Sequence, residues 1–315
     1  MSYVEPSPAE PPPVEPSPAE PSYVETETAS QPECWRRAAE LAATGPTALP
    51  ASGERVAVVG CGTSLYMAQA YAALREGAGH GETDAFAASE FPARRRYDRV
   101  VALTRSGTTT EVLELLARLR GTARTTAITA DPGTPVRDAA DDLVVLDFAD
   151  ERSVVQTRFA TTALTLLRAH LGLHSDAVLR DAATALTAPL PAGLLDRTQF
   201  TFLGRGWTVG LANEAALKMK EASLSWTEAY PAMEYRHGPI SISTGTTATW
   251  LLGGPAPDGL AAQVRATGAQ WVHGALDPLA DLVRVQRLAV ARAAARGLDP
   301  DRPRHLTRSV ILDGA

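Results

Sequence analysis

The sequence is poor in cysteine, carries no excess of positive charge and contains no long apolar run. Two cysteines in 315 residues, Cys34 and Cys61, are too few for a disulfide framework or a structural zinc site. The formal net charge of −6 provides no basic field for nucleic acid or an anionic membrane. No run reaches the length of a membrane span, and the N-terminus lacks the apolar core of a secretory signal. We therefore expect a cytoplasmic protein that binds neither nucleic acid nor membrane.

The N-terminal tract differs in composition from the rest of the chain. The octapeptide VEPSPAEP occurs at residues 4–11 and again at 14–21. Proline at this density removes backbone hydrogen-bond donors and disfavours both helix and sheet. The composition predicts a disordered acidic tail over residues 1–29, with order starting at Ser30 as the N-cap of a helix.

Strand, turn and helix alternate from residue 55 onward. Short apolar runs without polar alternation are typical of strands buried on both faces of a sheet. They occur at residues 55–60, 99–104, 125–129 and 142–147, and helical patterns follow the first two. Strands that alternate with helices predict an α/β fold with a parallel sheet.

The second half of the chain repeats this pattern. Segment 199–222 resembles segment 55–78, with the glycine-rich turn after each strand in register. Self-similarity on this scale indicates a duplicated unit. We therefore predict two α/β subdomains related by a pseudo-twofold axis, one over residues 30–190 and the other over residues 191–315.

Two turns of the first subdomain are rich in hydroxyl groups. The segment LTRSGTTTE places Ser106, Thr108 and Thr109 between a strand's carboxyl end and a helix N-terminus, where open α/β sheets bind ligands. The segment GCGTS places Thr63 and Ser64 at a second such turn. Serine and threonine are also ordinary helix caps, but free N–H groups and the helix dipole favour a phosphate here. Neither turn is a P-loop or a complete dinucleotide motif, which disfavours ATP and NAD.

A third pattern lies on a helix of the second subdomain that is predicted to begin at about Leu211. Glu214, Lys218 and Glu221 fall at i, i+4 and i+7 on one face, and His237 follows sixteen residues later. On composition alone, such a stripe is more often a solvated face braced by a Glu–Lys pair. Carboxylates and histidines are also the usual general acids and bases, so the pattern alone leaves both interpretations open.

Four motifs, GCGTS, LTRSGTTTE, EAALKMKEASLSWTEAYPAMEYRHGP and DRPRHLTRSV, occur in an order and at separations that resemble the SIS (sugar isomerase) family. The resemblance covers about residues 35–312. The family includes the isomerase half of glucosamine-6-phosphate synthase and stand-alone deaminases and ketose/aldose isomerases. The resemblance implies two tandem flavodoxin-like SIS subdomains, a sugar phosphate as substrate, a homodimer, and neither a cofactor nor a metal.

The resemblance also implies roles for individual residues. Glu221 would be the base that moves a proton between C1 and C2. Independently of the resemblance, the ammonium of Lys218 on the same helix face can supply positive charge beside the developing oxyanion. His237 would open the sugar ring, often in the neighbouring subunit of a dimer. The residues expected to bind the sugar phosphate lie in the two hydroxyl-rich turns: Thr63, Ser64, Thr104, Ser106, Thr108 and Thr109.

Three features depart from the family pattern. Arg308 stands where ammonia-transferring relatives have a Schiff-base lysine, and a guanidinium cannot form an imine, although it can bind a sugar oxygen or phosphate. Gln156 replaces a small hydroxyl residue, and its longer amide suits a substituent such as an N-acetyl group. A proline-rich tract stands where the synthase has its glutaminase domain. We therefore do not expect a glutamine amidotransferase.

Three functions remain open on the sequence. The first is an amino-sugar 6-phosphate isomerase, with or without loss of ammonia. The second is a lyase that removes the same C2 proton from N-acetylglucosamine 6-phosphate but expels the C3 hydroxyl as water. The third is a sugar-phosphate sensor without turnover, which the presence of both Glu221 and His237 disfavours.

Overall fold

The computed structural model describes residues 20–92 and 94–312. The strands are β1 (Val56–Gly60), β2 (Thr83–Ala87), β3 (Arg99–Leu103), β4 (Arg124–Thr129), β5 (Asp142–Val145), β6 (Gln199–Gly204), β7 (Trp226–Pro231), β8 (Thr247–Leu251) and β9 (Gln270–His273). The helices are α1 (Tyr23–Ala29), α2 (Gln31–Ala43), α3 (Thr63–Gly77), α4 (Thr110–Leu119), α5 (Val136–Ala139), α6 (Arg158–His170), α7 (Asp176–Thr187), α8 (Thr208–Ser223), α9 (Leu260–Ala266) and α10 (Pro278–Ala295). Short 3-10 helices cover Ala88–Glu90, Asp147–Ala149, Glu234–His237 and Pro239–Ile242.

The strands form two sheets in which all neighbouring strands are parallel. The first sheet has the order β2-β1-β3-β4-β5 and the second has the order β7-β6-β8-β9. Corresponding strands of the two sheets therefore lie in the same order, as expected of a duplicated unit. The predicted α/β fold with two parallel, helix-flanked sheets is confirmed.

Helices cover both faces of the first sheet. Val58 of β1 belongs to a buried cluster that includes Leu164 of α6, whereas Val59 belongs to a separate cluster that includes Leu116 of α4. Adjacent strand residues point to opposite faces, so an unbroken apolar run is the pattern that buries both. The cluster around Val58 also contains Phe200 of β6, so one core joins the two sheets. The subdomain boundary near residue 190 remains a prediction.

Two edge strands, β2 and β7, were not predicted from the sequence. β2 has the sequence TDAFA and β7 has the sequence WTEAYP, and most residues of both are only partly buried. The segment Trp226–Pro231, which follows α8 and was expected to be a loop before His237, is thus a strand. Helix α8 also begins at Thr208 rather than at about Leu211. These strands bury little apolar surface, so their sequences carry no clear strand periodicity.

The predicted disordered tail is wrong in its last part. Helix α1 covers Tyr23–Ala29, and its first turn is closed by a capping box between Ser22 and Glu25. The Glu25 amide donates to Ser22 Oγ at 3.2 Å, and the Ser22 amide donates to Glu25 Oε2 at 2.8 Å. Residues 1–19 lie outside the described residues. The next helix does begin directly after Ser30, as predicted.

Helices α3 and α8 approach each other closely at Gly210. A Cβ atom at Gly210 would lie 2.4 Å from the Tyr66 carbonyl oxygen and 2.8 Å from the Ala70 amide nitrogen. Only glycine permits this approach. The contact brings the β1–α3 turn of the first half against the face of α8 that carries Glu214 and Lys218, as the hydrogen bonds of the site confirm.

Among the described helices, none is long and apolar enough to cross a membrane. The longest helix, α10, carries Asp281 and three arginines within its 18 residues.

Candidate active site

A cleft of about 210 Å³ lies where the turns after β1 and β3 meet helix α8. Parallel sheets bind ligands at this carboxyl edge because the following helices direct their N-termini toward it. The lining residues come from both turns, from the loop of residues 151–157 (the 151–157 loop), from α8 and from the C-terminal segment (residues 299–312): Cys61, Gly62, Thr63, Thr109, Val154, Gln156, Glu221, Leu306, Thr307, Arg308, Ser309 and Val310.

The hydroxyls of the β3–α4 turn form one cluster with the C-terminal segment. Ser106 Oγ accepts a hydrogen bond from the Thr108 amide at 3.3 Å. Thr108 Oγ1 lies 3.0 Å from Ser106 Oγ and 2.9 Å from Ser309 Oγ. Thr109 Oγ1 lies 3.4 Å from the same Ser309 oxygen. The structure therefore brings Ser106, Thr108 and Thr109 together, with Ser309 as a fourth hydroxyl that was not predicted.

Four predicted phosphate-binding residues lie outside the cleft lining: Ser64, Thr104, Ser106 and Thr108. Ser64 is 4% exposed in the first turn of α3, and Thr104 is 4% exposed at the end of β3. The Thr104 amide donates to the Ile128 carbonyl at 3.0 Å and so extends the pairing with β4. Their assignment to phosphate binding remains a prediction.

The stripe on α8 is buried rather than solvated. The side chains of Glu214 and Lys218 are each 1% exposed, and that of Glu221 is 17% exposed. Lys218 Nζ lies 3.4 Å from Glu214 Oε1, donates to Thr63 Oγ1 at 3.0 Å and also contacts Glu221 Oε2. Thr63 Oγ1 in turn lies 3.3 Å from Glu214 Oε1. The solvated-face interpretation is thus wrong, because helix α3 covers this face.

Burial shifts the pKa of Glu214 away from the value that is usual for a carboxyl group. Desolvation raises the pKa of Glu214 to about 8; Lys218 opposes this shift and Glu221 adds to it. Burial alone would lower the pKa of Lys218, but the two neighbouring carboxylates more than offset that and raise it. Near neutral pH the arrangement therefore holds a protonated Glu214 and a charged Lys218, whose ammonium contacts Glu221 at the cleft.

Gln156 offers an unused acceptor beside Glu221. Its side chain lines the cleft, and its Oε1 atom is buried without a hydrogen-bond partner among the described residues. A buried polar oxygen without a partner costs free energy, and at the cleft this oxygen can accept a hydrogen bond from a bound donor.

Sequence reasoning missed Arg105, which lies within the β3–α4 turn between two hydroxyl residues. Its guanidinium is 1% exposed and forms an ion pair with Glu151 at 3.4 Å. It also donates to the carbonyls of Ser153 and Arg308, each at 2.9 Å. Arg105 therefore joins the β3–α4 turn to the 151–157 loop and the C-terminal segment. The arginine between Thr104 and Ser106 was the available signal, because a guanidinium forms strong charge-assisted hydrogen bonds to carboxylates.

Arg308 lines the cleft but directs its guanidinium toward the protein. It donates to the Glu151 carbonyl and forms an ion pair with Asp150 at 2.5 Å. The contact of Arg308 with the substrate remains a prediction.

His237 is not brought to Glu221 within one protomer. It is exposed at the end of a 3-10 helix, followed by Gly238 at a φ of 140°, and it is absent from the residues that line the cleft. A role in a neighbouring subunit remains a prediction. Within residues 20–92 and 94–312, no group of three or more His, Cys, Asp or Glu side chains is placed to hold a metal.

Comparison with known proteins agrees with this architecture. No family model matches the chain. The chain is 29% identical over 336 residues to a glutamine–fructose-6-phosphate aminotransferase [isomerizing] of Gloeobacter violaceus, an alignment that covers 86% of this chain and 55% of the relative. The chain thus spans about half the length of the curated relatives it matches.

Solved structures match over nearly the whole chain. Glucosamine-6-phosphate deaminase from Thermotoga maritima matches with a TM-score of 0.81 and 24% identity, covering 92% of this chain and all of that one (100%). The resemblance to the SIS family is confirmed. The C-terminal domain of glucosamine-fructose-6-phosphate aminotransferase from Francisella tularensis, with a TM-score of 0.76, 21% identity and coverage of 92% and 100%, has the same SIS fold.

Proposed function

We propose that this SIS protein is an amino-sugar 6-phosphate enzyme in which Glu221 removes the proton at C2 of the sugar. The observation that carries the proposal is the position of Glu221. Its carboxylate opens into the cleft from a buried helix, in contact with Lys218 and beside the hydroxyl-rich turns. A base held on a rigid, buried element suits proton abstraction next to a carbonyl.

The phosphate is proposed to bind at the β3–α4 turn. The hydroxyls of Ser106, Thr108 and Thr109 supply donors without adding charge, and the N-terminus of α4 adds its dipole. Thr109 stands at the N-cap of α4, yet its side chain caps no amide of the helix, so its hydroxyl is available to a ligand.

The chemical steps follow from the placement of charge. Glu221 takes the C2 proton of the open-chain sugar, and the electron pair moves to the C1 oxygen to give an enediolate-type intermediate. The ammonium of Lys218, which contacts Glu221, stabilises the negative charge of this intermediate. Return of the proton to C1, with transfer of a proton from the nitrogen or oxygen on C2 to the C1 oxygen, gives the 2-imine or 2-ketone. With a free amine at C2, addition of water and departure of ammonia then complete a deamination.

The relatives support the isomerase and deaminase side of this proposal. The Thermotoga maritima structure is named as a glucosamine-6-phosphate deaminase, and the Gloeobacter violaceus relative as an isomerizing aminotransferase. Transfer of ammonia to a ketose through an imine to the C-terminal segment is not proposed, because Arg308 cannot form one.

A dehydratase is the second candidate, and Gln156 is the observation that favours it. An acetamido group presents one N–H donor and one carbonyl acceptor, which matches the amide of Gln156 and its unpaired Oε1. An acetylated nitrogen is a poor leaving group. After Glu221 has taken the C2 proton, the C3–O bond breaks instead, the hydroxyl leaves as water after protonation, and C2 and C3 become doubly bonded.

We also propose that the enzyme acts as a cytoplasmic homodimer in which His237 serves the partner's cleft. Large apolar side chains near His237 support a buried interface there. Met233 and Ile242, which flank His237 in the sequence, are each 45% exposed. Exposed apolar side chains clustered on one region often mark a protein interface.

One experiment separates the candidate functions. The protein is incubated with glucosamine 6-phosphate and with N-acetylglucosamine 6-phosphate, and ammonia, ketose and an ultraviolet-absorbing unsaturated product are followed in parallel. Ammonia with ketose supports the deaminase, and an unsaturated product supports the dehydratase. Binding without any product would leave a sensor and would contradict both proposals.

A further inference from the structure

The 151–157 loop has one set of residues facing the cleft and another set buried behind it. Val154 and Gln156 line the cleft. Ser153 and Val155, which alternate with them, are 1% and 2% exposed on the opposite side. The position of the cleft-facing residues therefore depends on what packs against the loop from behind.

Helix α1 is the element behind the loop. Glu27 Oε1 accepts hydrogen bonds from the backbone amides of Arg152 at 2.5 Å and Ser153 at 3.3 Å, and Glu27 Oε2 accepts from Ser153 Oγ. Val24 lies one turn earlier on the same face of α1. It forms a buried cluster with Val155 of the loop.

The hydrogen bonds from the loop to Glu27 replace those of regular secondary structure. Arg152 and Ser153 belong to no helix or strand, so their amides find no partner in a sheet or helix. Glu27 is 3% exposed, and its charge-assisted bonds satisfy these donors. Removing the carboxylate would leave buried donors unpaired and would free the loop to move.

The same helix is tied to the C-terminal segment. The amides of Tyr23 and Val24, at the start of α1, donate to the two carboxylate oxygens of Asp301 at 2.7 and 3.0 Å. The segment continues from Asp301 to Arg308 and Ser309, which line the cleft. Helix α1 thus contacts two of the elements that form the cleft, although none of its own residues lines it.

We propose that helix α1 positions the cleft, with Glu27 as the residue that fixes the 151–157 loop and so sets Gln156 against the substituent on C2 of the substrate. The identity of that substituent rests on the proposed function. Glu27 acts through the loop, so it is a positioning residue for substrate selection.

The first test compares two ligands that differ only at C2. Glu27→Gln keeps the size of the side chain but replaces one of its two accepting oxygens by an NH2 group, so the three donors of the loop cannot all be satisfied by this side chain. Ser153→Ala removes a single hydroxyl partner of Glu27. Glu33→Gln is the control, since Glu33 is an exposed carboxylate that contacts Arg36 on α2. Affinities for N-acetylglucosamine 6-phosphate and glucose 6-phosphate are measured by calorimetry for each variant.

Glu27→Gln should weaken the binding of N-acetylglucosamine 6-phosphate by roughly tenfold or more, because small displacements of a positioned group are costly. Binding of glucose 6-phosphate should change by less than about threefold, because neither substitution removes a hydroxyl of the β3–α4 turn or the bond from Arg105 to the Ser153 carbonyl. Ser153→Ala should give the same selective loss in a smaller amount, and it serves if Glu27→Gln does not fold. Equal losses for both ligands, or no loss for either, would overturn the proposal.

Amide hydrogen exchange provides a second test that needs no ligand. In Glu27→Gln, the amides of Arg152 and Ser153 should exchange at least roughly tenfold faster, while those of β1 keep their protection. Unchanged protection of the loop would overturn the role of Glu27 even if the enzyme were inactive. The two proposals can fail separately. If the wild-type protein binds neither amino-sugar phosphate, the proposed function and the assigned substituent are refuted. Faster exchange of the loop amides in Glu27→Gln would still establish the contact between α1 and the loop.

Discussion

Lys218 Nζ lies 3.4 Å from Glu214 Oε1, and both side chains are almost completely buried on helix α8. Because burial raises the pKa of Glu214 to about 8, this carboxyl holds its proton near neutral pH. The ammonium of Lys218 also contacts the carboxyl group of Glu221. The buried face of α8 therefore holds a carboxyl group with a raised pKa beside a lysine that stays charged.

Replacing Glu214 by glutamine should change how stability depends on pH. The folded state binds the Glu214 proton more tightly than the unfolded state does, since the folded pKa of about 8 exceeds the ordinary value of 4.5. Stability from this group is present below the ordinary pKa and is lost as the pH rises through the folded value. The melting temperature of the wild type, relative to that of Glu214→Gln, should fall between about pH 5 and about pH 9.

Glu33→Gln is the matched control for this measurement. A hydrogen bond from Arg36 lowers the pKa of the exposed Glu33 carboxyl, so its titration lies below the tested range. Its melting temperature should run parallel to that of the wild type. Parallel curves for Glu214→Gln as well would mean that Glu214 is ionised in the folded protein throughout.

Loss of two hydroxyls from the β3–α4 turn should weaken phosphate binding with little effect on folding. We expect Ser106→Ala with Thr109→Ala to reduce the affinity for sugar phosphates by roughly a hundredfold, because two hydrogen bonds to a charged group are lost. Thr184→Ala with Thr187→Ala, which removes two exposed hydroxyls of α7, should leave the affinity unchanged. The affinities are measured by calorimetry. An unchanged affinity of the Ser106 and Thr109 double variant would mean that the phosphate binds elsewhere.

Mixed dimers test whether His237 acts across an interface. Glu221→Gln and His237→Ala homodimers should each be inactive. Random mixing of the two should restore about a quarter of the wild-type activity, since half of the dimers are mixed and each has one intact site. No recovery after subunit exchange, verified by mass spectrometry, would show that both residues act within one chain or that His237 is dispensable.

Arg308→Lys should not create ammonia transfer. The guanidinium of Arg308 forms an ion pair with Asp150 and donates to the Glu151 carbonyl, and a lysine there would meet the same carboxylate. A lysine held charged by an ion pair is a poor nucleophile. Incubation of the variant with fructose 6-phosphate and an ammonia source should yield no glucosamine 6-phosphate, and efficient synthesis would contradict this interpretation of the C-terminal segment.

The central strands and the two hydroxyl-rich turns were predictable because they depend on local sequence. An unbroken apolar run such as Val56–Gly60 has one stable environment, between two layers of helices, and the topology then places its turn at the ligand edge. The burial of Glu214 was not predictable in this way. Helical periodicity assigns it to a face, but what covers that face is decided by the contact of α3 with Gly210.

The same limit applies to the N-terminal helix and the C-terminal segment. Glu27 in α1 resembles any acidic residue of a polar tract, and only its contact with the 151–157 loop reveals its environment. Ser309 likewise lies two hundred residues away in sequence from Thr109, and its place beside that hydroxyl follows from tertiary structure. The edge strand Trp226–Pro231 shows no strand periodicity in its sequence, because it buries little apolar surface.

Exchange of the C2 hydrogen with solvent tests the central claim, that Glu221 is the base, most directly. The protein is incubated in deuterium oxide with the amino-sugar phosphate that it turns over, and deuterium at C2 is followed by nuclear magnetic resonance. Glu221→Gln should slow the exchange by roughly a hundredfold or more, because the base is removed while the side-chain size is kept. Lys220→Gln, at an exposed position one residue earlier on α8, should exchange at the wild-type rate. Deuterium that enters C2 at the wild-type rate in Glu221→Gln would contradict the account, whichever product the enzyme forms.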